Sequence, residues 1–205
     1  MSQLLTTRSG GRRAERKARN REQLLAAARK VFAEKGLGAA TVRDIVRETD
    51  LATGTFYNYF TDKEEIFRAL LEEFSMRARA AVRSERLRGG TIEERLENAY
   101  RAYFRLVVEE RELFAVLVRN AGAVALITDE GLFEAGVREF FEDLGAWARE
   151  GLLPDTDLQY LATAGVAIGF QVATRMIERD PPDVDGAARF CARLFLGGVP
   201  ATVRY

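Results

Sequence analysis

Histidine is absent from this chain of 205 residues, and Cys191 is its only cysteine. That removes the usual zinc and copper ligands and leaves neither a Ser-His nor a Cys-His nucleophile pair. A lone cysteine makes no internal disulfide framework. No apolar stretch approaches the roughly 18 residues of a transmembrane helix, and the N-terminus lacks an apolar run of signal-peptide length. The expectation is a soluble, cytoplasmic protein with no metal, no cofactor and no membrane contact. Only 4 prolines occur, and strand-like alternation is missing, so the elements should be helices. Net charge is zero as well, but its distribution is uneven. Residues 1–60 hold 12 Lys/Arg against 6 Asp/Glu, and the remainder holds 19 against 25. The chain reads as a basic head on an acidic body.

What is present centres on residues 41–63, TVRDIVRETDLATGTFYNYFTDK. Thr41 followed by Asp44 is the acidic form of a capping box, so a helix should start there. Val42, Ile45 and Val46 give that helix one apolar face. Thr49 to Ala52 break the pattern. A second short helix is expected from Thr53 to Tyr59, with Phe56 and Phe60 turned inward. Two short helices joined by a tight turn make a helix-turn-helix, whose second helix enters the DNA major groove. That helix offers Thr55, Tyr57, Asn58 and Tyr59, a set of hydroxyls, an amide and phenols suited to phosphates and base edges. Thr61 and Glu64 form another capping box and start a third helix at Asp62. Lys63 lies in its first turn and opposes the helix dipole, which makes sense if that end faces a phosphate.

With the preceding REQLLAAARKVFAEKGLGAA, this stretch resembles the N-terminal domain of the TetR family of bacterial transcriptional regulators. The matching pieces are FAEKG, TVRDI, GTFYNYF and DKEEIF, and the resemblance covers residues 20–72. Asp50 stands where the family's turn usually has a small residue or glycine. Ala52 stands where the recognition helix usually opens with Ser, and Thr53 is the alternative cap. The resemblance implies that Tyr57, Tyr59 and Lys63 hold phosphates and that Thr53, Thr55 and Asn58 lie against base edges. Arg43 reaches a base or a phosphate, and Gly54 lets the backbone approach DNA.

Ahead of this lie residues 1–11, small and polar and expected to be disordered. Arg12, Arg13, Arg16, Lys17, Arg19 and Arg21 then stand against a single Glu15. They form either a solvated helix start or an arm along the phosphate backbone, and the neighbouring helix-turn-helix favours the arm. The first helix carries Leu24, Leu25, Ala28, Val31 and Phe32 and ends at Gly36. The helix from Asp62 should run to about Leu87, before Gly89-Gly90. Thr91 with Glu94 caps the next helix. Further apolar stripes run through Leu113–Val118, Phe133–Trp147, Leu161–Val172 and Ala187–Phe195, and Thr128-Asp129 can cap one of them. The fold class is therefore all-α, about nine helices. A helix-turn-helix head over residues 12–60 is expected on a helical body over 61–205, which the resemblance makes the ligand-binding and dimerisation domain.

Within the body, Gly165, Gly169 and Ala173 recur every four residues. A glycine in a helix interior costs about 1 kcal/mol relative to alanine, so a close helix approach is expected. The TetR resemblance implies that the last two long helices pair with their copies in a second subunit. Gly165, Gly169, Ala173, Phe190, Cys191 and Leu194 would then form a dimer interface; the other reading of the same residues is ordinary core. A small-molecule effector is also implied, mostly apolar and with at most one anionic group. Phe104, Phe114, Phe140 and Trp147 are the candidate pocket walls, with Gln171, Arg119 and Arg175 as polar contacts. For both arginines a surface position is the competing reading. The implied partners are a palindromic double-stranded operator, a second copy and the effector. Nothing marks a catalytic residue. An enzyme in a helical bundle and a DNA binder without ligand are the rival readings.

Overall fold

The computed structural model describes the backbone of residues 4–86, 88, 90–120 and 133–198, and side chains from Gly11 onward. The expected caps at Thr128-Asp129, the stop at Gly89 and most of the C-terminal tail lie outside the described residues. Among those residues there are nine helices and no strand, so the chain is all-α as expected. They fall into two compact units, residues 1–71 and 72–205.

In the first unit, α1 (Leu4–Ala39) is the longest element. Its helix reaches back to Leu4, where the small polar residues were expected to be disordered. Gly36 breaks it with φ 74°, a left-handed conformation that glycine adopts without strain. Three shorter pieces follow: α2 (Val42–Arg47), α3 (Thr53–Phe56) and the beginning of α4 (Lys63–Arg86). Their apolar positions recur at helical spacing and meet in one small core. Leu24, Phe32, Ile45, Phe56, Phe67 and Leu70 are all fully buried. Phe32 and Phe67 pack edge to face with ring centroids 5.3 Å apart, a favoured aromatic geometry.

In the second unit, α5 (Ile92–Glu109) opens with the expected Thr91–Glu94 capping box. Glu110 separates it from α6 (Arg111–Arg119). Then come α7 (Glu134–Arg149), α8 (Leu158–Met176), whose N-cap is Asp157, and α9 (Val184–Gly198). α9 packs along α5 and against α8, and α7 packs on α8. The glycines of α8 make this packing possible. A Cβ on Gly165 would lie 2.5 Å from Phe140 and 2.9 Å from Phe195, and one on Gly169 would lie 3.0 Å from Tyr100. The buried Tyr100 hydroxyl donates to the Gly165 carbonyl at 2.9 Å.

Candidate nucleic-acid interface and body cavity

The helix-turn-helix is built by side chains that bond locally to backbone. Thr41 accepts from Asp44 N, and the Asp44 carboxylate accepts from Thr41 N in return. Lys35 donates to the same carboxylate at 2.7 Å. Lys35 first, and Thr41 after it, hold the Asp44 carboxyl down to about 2. Thr49 shapes the turn: its hydroxyl donates to Val46 O at 2.8 Å and accepts from Leu51 N. Ala52 begins α3 with no side-chain cap, and Thr53 does not supply one. α3 is a single turn ending at Phe56, and residues 57–59 continue as turns rather than as the longer helix expected. At the start of α4 the capping partner is also different. Glu65, not Glu64, accepts from Thr61 N, while Asp62 accepts from Glu65 N.

Phe56 and Phe60 are buried as expected, and the residues between and before them are not. Thr53, Gly54, Asn58 and Arg43 are exposed, and Thr55 and Tyr59 are half-buried. Tyr57 is 58% exposed and stands edge-on to the Phe56 ring, with centroids 5.4 Å apart. One concave surface joins Thr55, Asn58 and Tyr59 to Arg12, Arg13, Arg16, Lys17 and Arg19 of α1. The basic residues therefore share a surface with the second helix of the motif. Arg21 is held nearby, its guanidinium 5.7 Å from the Phe60 ring centroid. Cations beside hydroxyls and an amide suit phosphates and base edges together.

Lys63 has partners within the head itself. Its ammonium donates to Leu37 O, Gly38 O and Ala40 O at 2.9, 3.1 and 3.0 Å. Three donors meet three carbonyls of the segment that follows the Gly36 break. The charge that opposes its own helix is thus held by that segment, and a phosphate would have to compete with those carbonyls.

The body holds a mostly apolar cavity of about 140 Å³. Phe74, Leu96, Leu117, Phe133, Phe140 and Phe170 line it, and Arg79, Arg86 and Glu139 add charge. Of the seven pocket residues expected, only Phe140 is in the wall. Phe104 stacks on Tyr100, Phe114 packs on Phe74 and Phe170, and Trp147 meets Phe140 from behind, so all three are core. Arg119, Gln171 and Arg175 are exposed, and Arg175 pairs with Glu178. The charged residues that line the cavity instead come from α4 and α7, and Tyr100 and Tyr103 of α5 add two phenols. Arg79 donates to Glu139 at 2.7 Å, and Arg86 Nε lies 2.9 Å from Asp143. Burial pulls the Arg86 guanidinium down and pushes the Asp143 carboxyl up, and each charge partly offsets the shift of the other. A signal existed: Ser75, Arg79, Val82 and Arg86 continue the apolar stripe of α4 at helical spacing, so two arginines stand where the core face should be.

The glycine ridge is a correction. Gly165, Gly169, Ala173 and Cys191 are buried within the chain, the two glycines against its own Phe140, Phe195 and Tyr100, and offer no surface to another copy. Phe190 and Leu194, by contrast, are 56% and 49% exposed on α9, and Tyr160 is 77% exposed on α8. Ala164 and Ala167 are exposed beside Tyr160.

Residues 24–70 match the family described as bacterial regulatory proteins, tetR family. An uncharacterized HTH-type transcriptional regulator, YfiR of Bacillus subtilis, is 38% identical over 58 residues, 28% of each chain. Another from Haemophilus influenzae is 26% identical over 133 residues, 63% of this chain and 62% of the relative. The matches thus span less than two thirds of either curated relative. Among solved structures, a putative TetR-family transcriptional regulator from Syntrophomonas wolfei aligns with a TM-score of 0.78 at 21% identity, covering 89% of this chain and 96% of that one. The transcriptional regulator FadR from Bacillus subtilis, solved in complex with stearoyl-CoA, aligns at 0.75 and 19% identity, covering 87% and 98%. Likeness at that identity establishes a shared fold.

Proposed function

We propose that the chain is a DNA-binding transcriptional regulator of the TetR family, whose model its residues 24–70 match, that it is not an enzyme, and that it acts in the cytoplasm. The observation that carries this reading is the single surface shared by α3, the turn after it and the basic half of α1. Thr53, Thr55 and Asn58 are assigned to base edges. Tyr57 and Tyr59, Arg43 and the arm are assigned to phosphates, and Gly54 to close backbone approach.

A homodimer is part of the proposal. Two heads about one helical turn apart read a palindromic site. The exposed faces of α8 and α9, with Tyr160, Phe190 and Leu194, are the surface we assign to the second copy. The effector is assigned to the body cavity, and the ligand held by the FadR relative supports a small-molecule site of this kind. Residues of α4 up to Leu71 belong to one compact unit and those from Glu72 to the other. Tilting α4 is therefore the route by which a ligand would weaken operator binding. A coupling of about 1–3 kcal/mol corresponds to roughly 5–150-fold. Release of a repressor is the sense we assign to it.

Alanine substitution tests the division of labour. Asn58→Ala should lower affinity for the selected operator about 10-fold or more and leave scrambled DNA unaffected. Arg16→Ala should weaken both DNAs alike and reduce the slope of log K on log salt by about 0.9. Equal effects of Asn58→Ala on both DNAs would remove the base-reading role. Leu194→Glu should dissociate the dimer in sedimentation equilibrium, and an unchanged dimer would place the interface elsewhere.

A further inference from the structure

The charges in the cavity wall say what kind of head group it accepts. Arg79 and Arg86 of α4 and Glu139 of α7 stand in the wall, Arg79 paired with Glu139, and Asp143 of α7, outside the lining, pairs with Arg86. Arg83 and Glu142, which also act on this pair, carry opposite charges. Among the described residues, each arginine of the wall is therefore matched by one carboxylate. An anionic head group would meet the Glu139 carboxylate as well as the arginines, and an ammonium would meet the arginines as well as the carboxylate.

The hydrogen bonding is not complete in the same way. Glu139 uses Oε1 for Arg79 NH1, and its Oε2 is buried without a hydrogen-bond partner. Arg79 Nε is likewise buried without one. Arg86 is only 6% exposed, and its Nε makes no aligned hydrogen bond despite the nearby Asp143. Its guanidinium sits 5.2 Å from the centroid of the Phe140 ring, against the apolar wall. Among the described residues, the wall thus contains one acceptor in need of a donor, Glu139 Oε2, and one donor in need of an acceptor, Arg79 Nε, beside an Arg86 Nε that Asp143 attracts without an aligned bond. Buried polar groups are ordinarily satisfied, so these atoms are where a ligand's polar atoms belong. A volume of about 140 Å³ is close to that of an engineered apolar cavity that holds one benzene molecule, at about 150 Å³.

We propose that the cavity takes a small uncharged amphiphile: an apolar body about the size of one benzene ring, bearing one head group that both donates and accepts a hydrogen bond, such as a primary amide or a hydroxyl. The donor goes to Glu139 and the acceptor to Arg79 and Arg86, while the ring fills the space between Phe74, Phe140 and Phe170. This rests on the effector reading above and narrows its ligand class, replacing the anionic group expected from sequence.

Isothermal titration of the full chain with benzamide, benzyl alcohol, benzoate, benzylamine and toluene tests it at pH 7. Benzamide or benzyl alcohol should bind at least tenfold more tightly than each of the other three. Benzoate or benzylamine binding more tightly, or no binding by any of the five, overturns the proposal. Glu139→Gln supplies a second readout that depends on charge rather than folding. It leaves the arginines in excess, so the ratio of benzoate to benzamide affinity should rise at least tenfold; an unchanged ratio overturns the assignment of Glu139. Titration reads the ligand directly. A failure to bind DNA would count against the regulator reading and leave this result standing.

Discussion

Replacing Gly165 with alanine adds one carbon where two aromatic rings already stand. The new Cβ would lie 2.5 Å from Phe140 and 2.9 Å from Phe195, both closer than ordinary carbon contacts. Those rings are partners themselves, with centroids 5.6 Å apart, so moving one disturbs the other. The Gly165 carbonyl also receives the buried Tyr100 hydroxyl. Overpacking of a core costs about 1–3 kcal/mol, and two displaced rings put this site near the upper end. Alanine regains about 1 kcal/mol through helix propensity. The net expectation is destabilisation by about 2 kcal/mol, or roughly 4–8 °C in Tm for a chain of this size. Thermal and urea unfolding followed by circular dichroism measure it. Gly145→Ala is the control, because its Cβ would meet only the tip of Arg149 at 3.5 Å. That substitution should stabilise by about 0.5–1 kcal/mol. Sedimentation equilibrium should show the Gly165→Ala dimer intact, since the ridge faces inward. A Gly165→Ala protein that melts at or above the parent temperature refutes this packing argument.

Lys63→Ala removes three bonds to the segment that follows the Gly36 break and should cost about 1–2 kcal/mol of stability, while the salt slope of DNA binding stays unchanged; a slope lower by about 0.9 would return Lys63 to a phosphate. Asp44 should make stability pH-dependent. Its carboxyl is depressed from 3.8 to about 2 on folding, so its contribution is fully present above 3.8 and is lost as pH falls towards 2. The urea midpoint should accordingly drop more steeply across that window in the parent than in Asp44→Asn, and parallel profiles would contradict the cap. Cys191 is fully buried, and burial pushes its thiol up to about 12. It should stay silent to a disulfide-exchange reagent at pH 8 and react only on unfolding.

The head was legible because its signals are local. The Thr41–Asp44 box, the stripe of α1 and the Gly36 stop each need only a few neighbouring residues, and each appears as read. The partners of Lys63 were not legible, because they are carbonyls 23 to 26 residues away, which helix spacing cannot reveal. The same limit explains the cavity. Periodicity marks which face of a helix is apolar, but not whether that face meets a void, a ring or another subunit. Phe104, Phe114 and Trp147 are all on buried faces, yet the void lies elsewhere. Gly165 and Gly169 did announce a close approach. Which element approaches depends on where α5, α7 and α9 lie, a long-range matter, and the approach is made by Phe140, Phe195 and Tyr100 of the same chain.

The central claim is sequence-specific DNA binding by the surface around α3. Selection from a pool of random duplexes, followed by fluorescence anisotropy on the enriched site and on its scrambled version, tests it most directly. The account predicts an enriched palindrome, bound about 10³-fold or more tightly than the scrambled duplex. It also predicts a steep fall of log K with log salt and a preference reduced about 10-fold or more in Asn58→Ala. No enriched sequence, with equal or absent binding to every duplex, would contradict it.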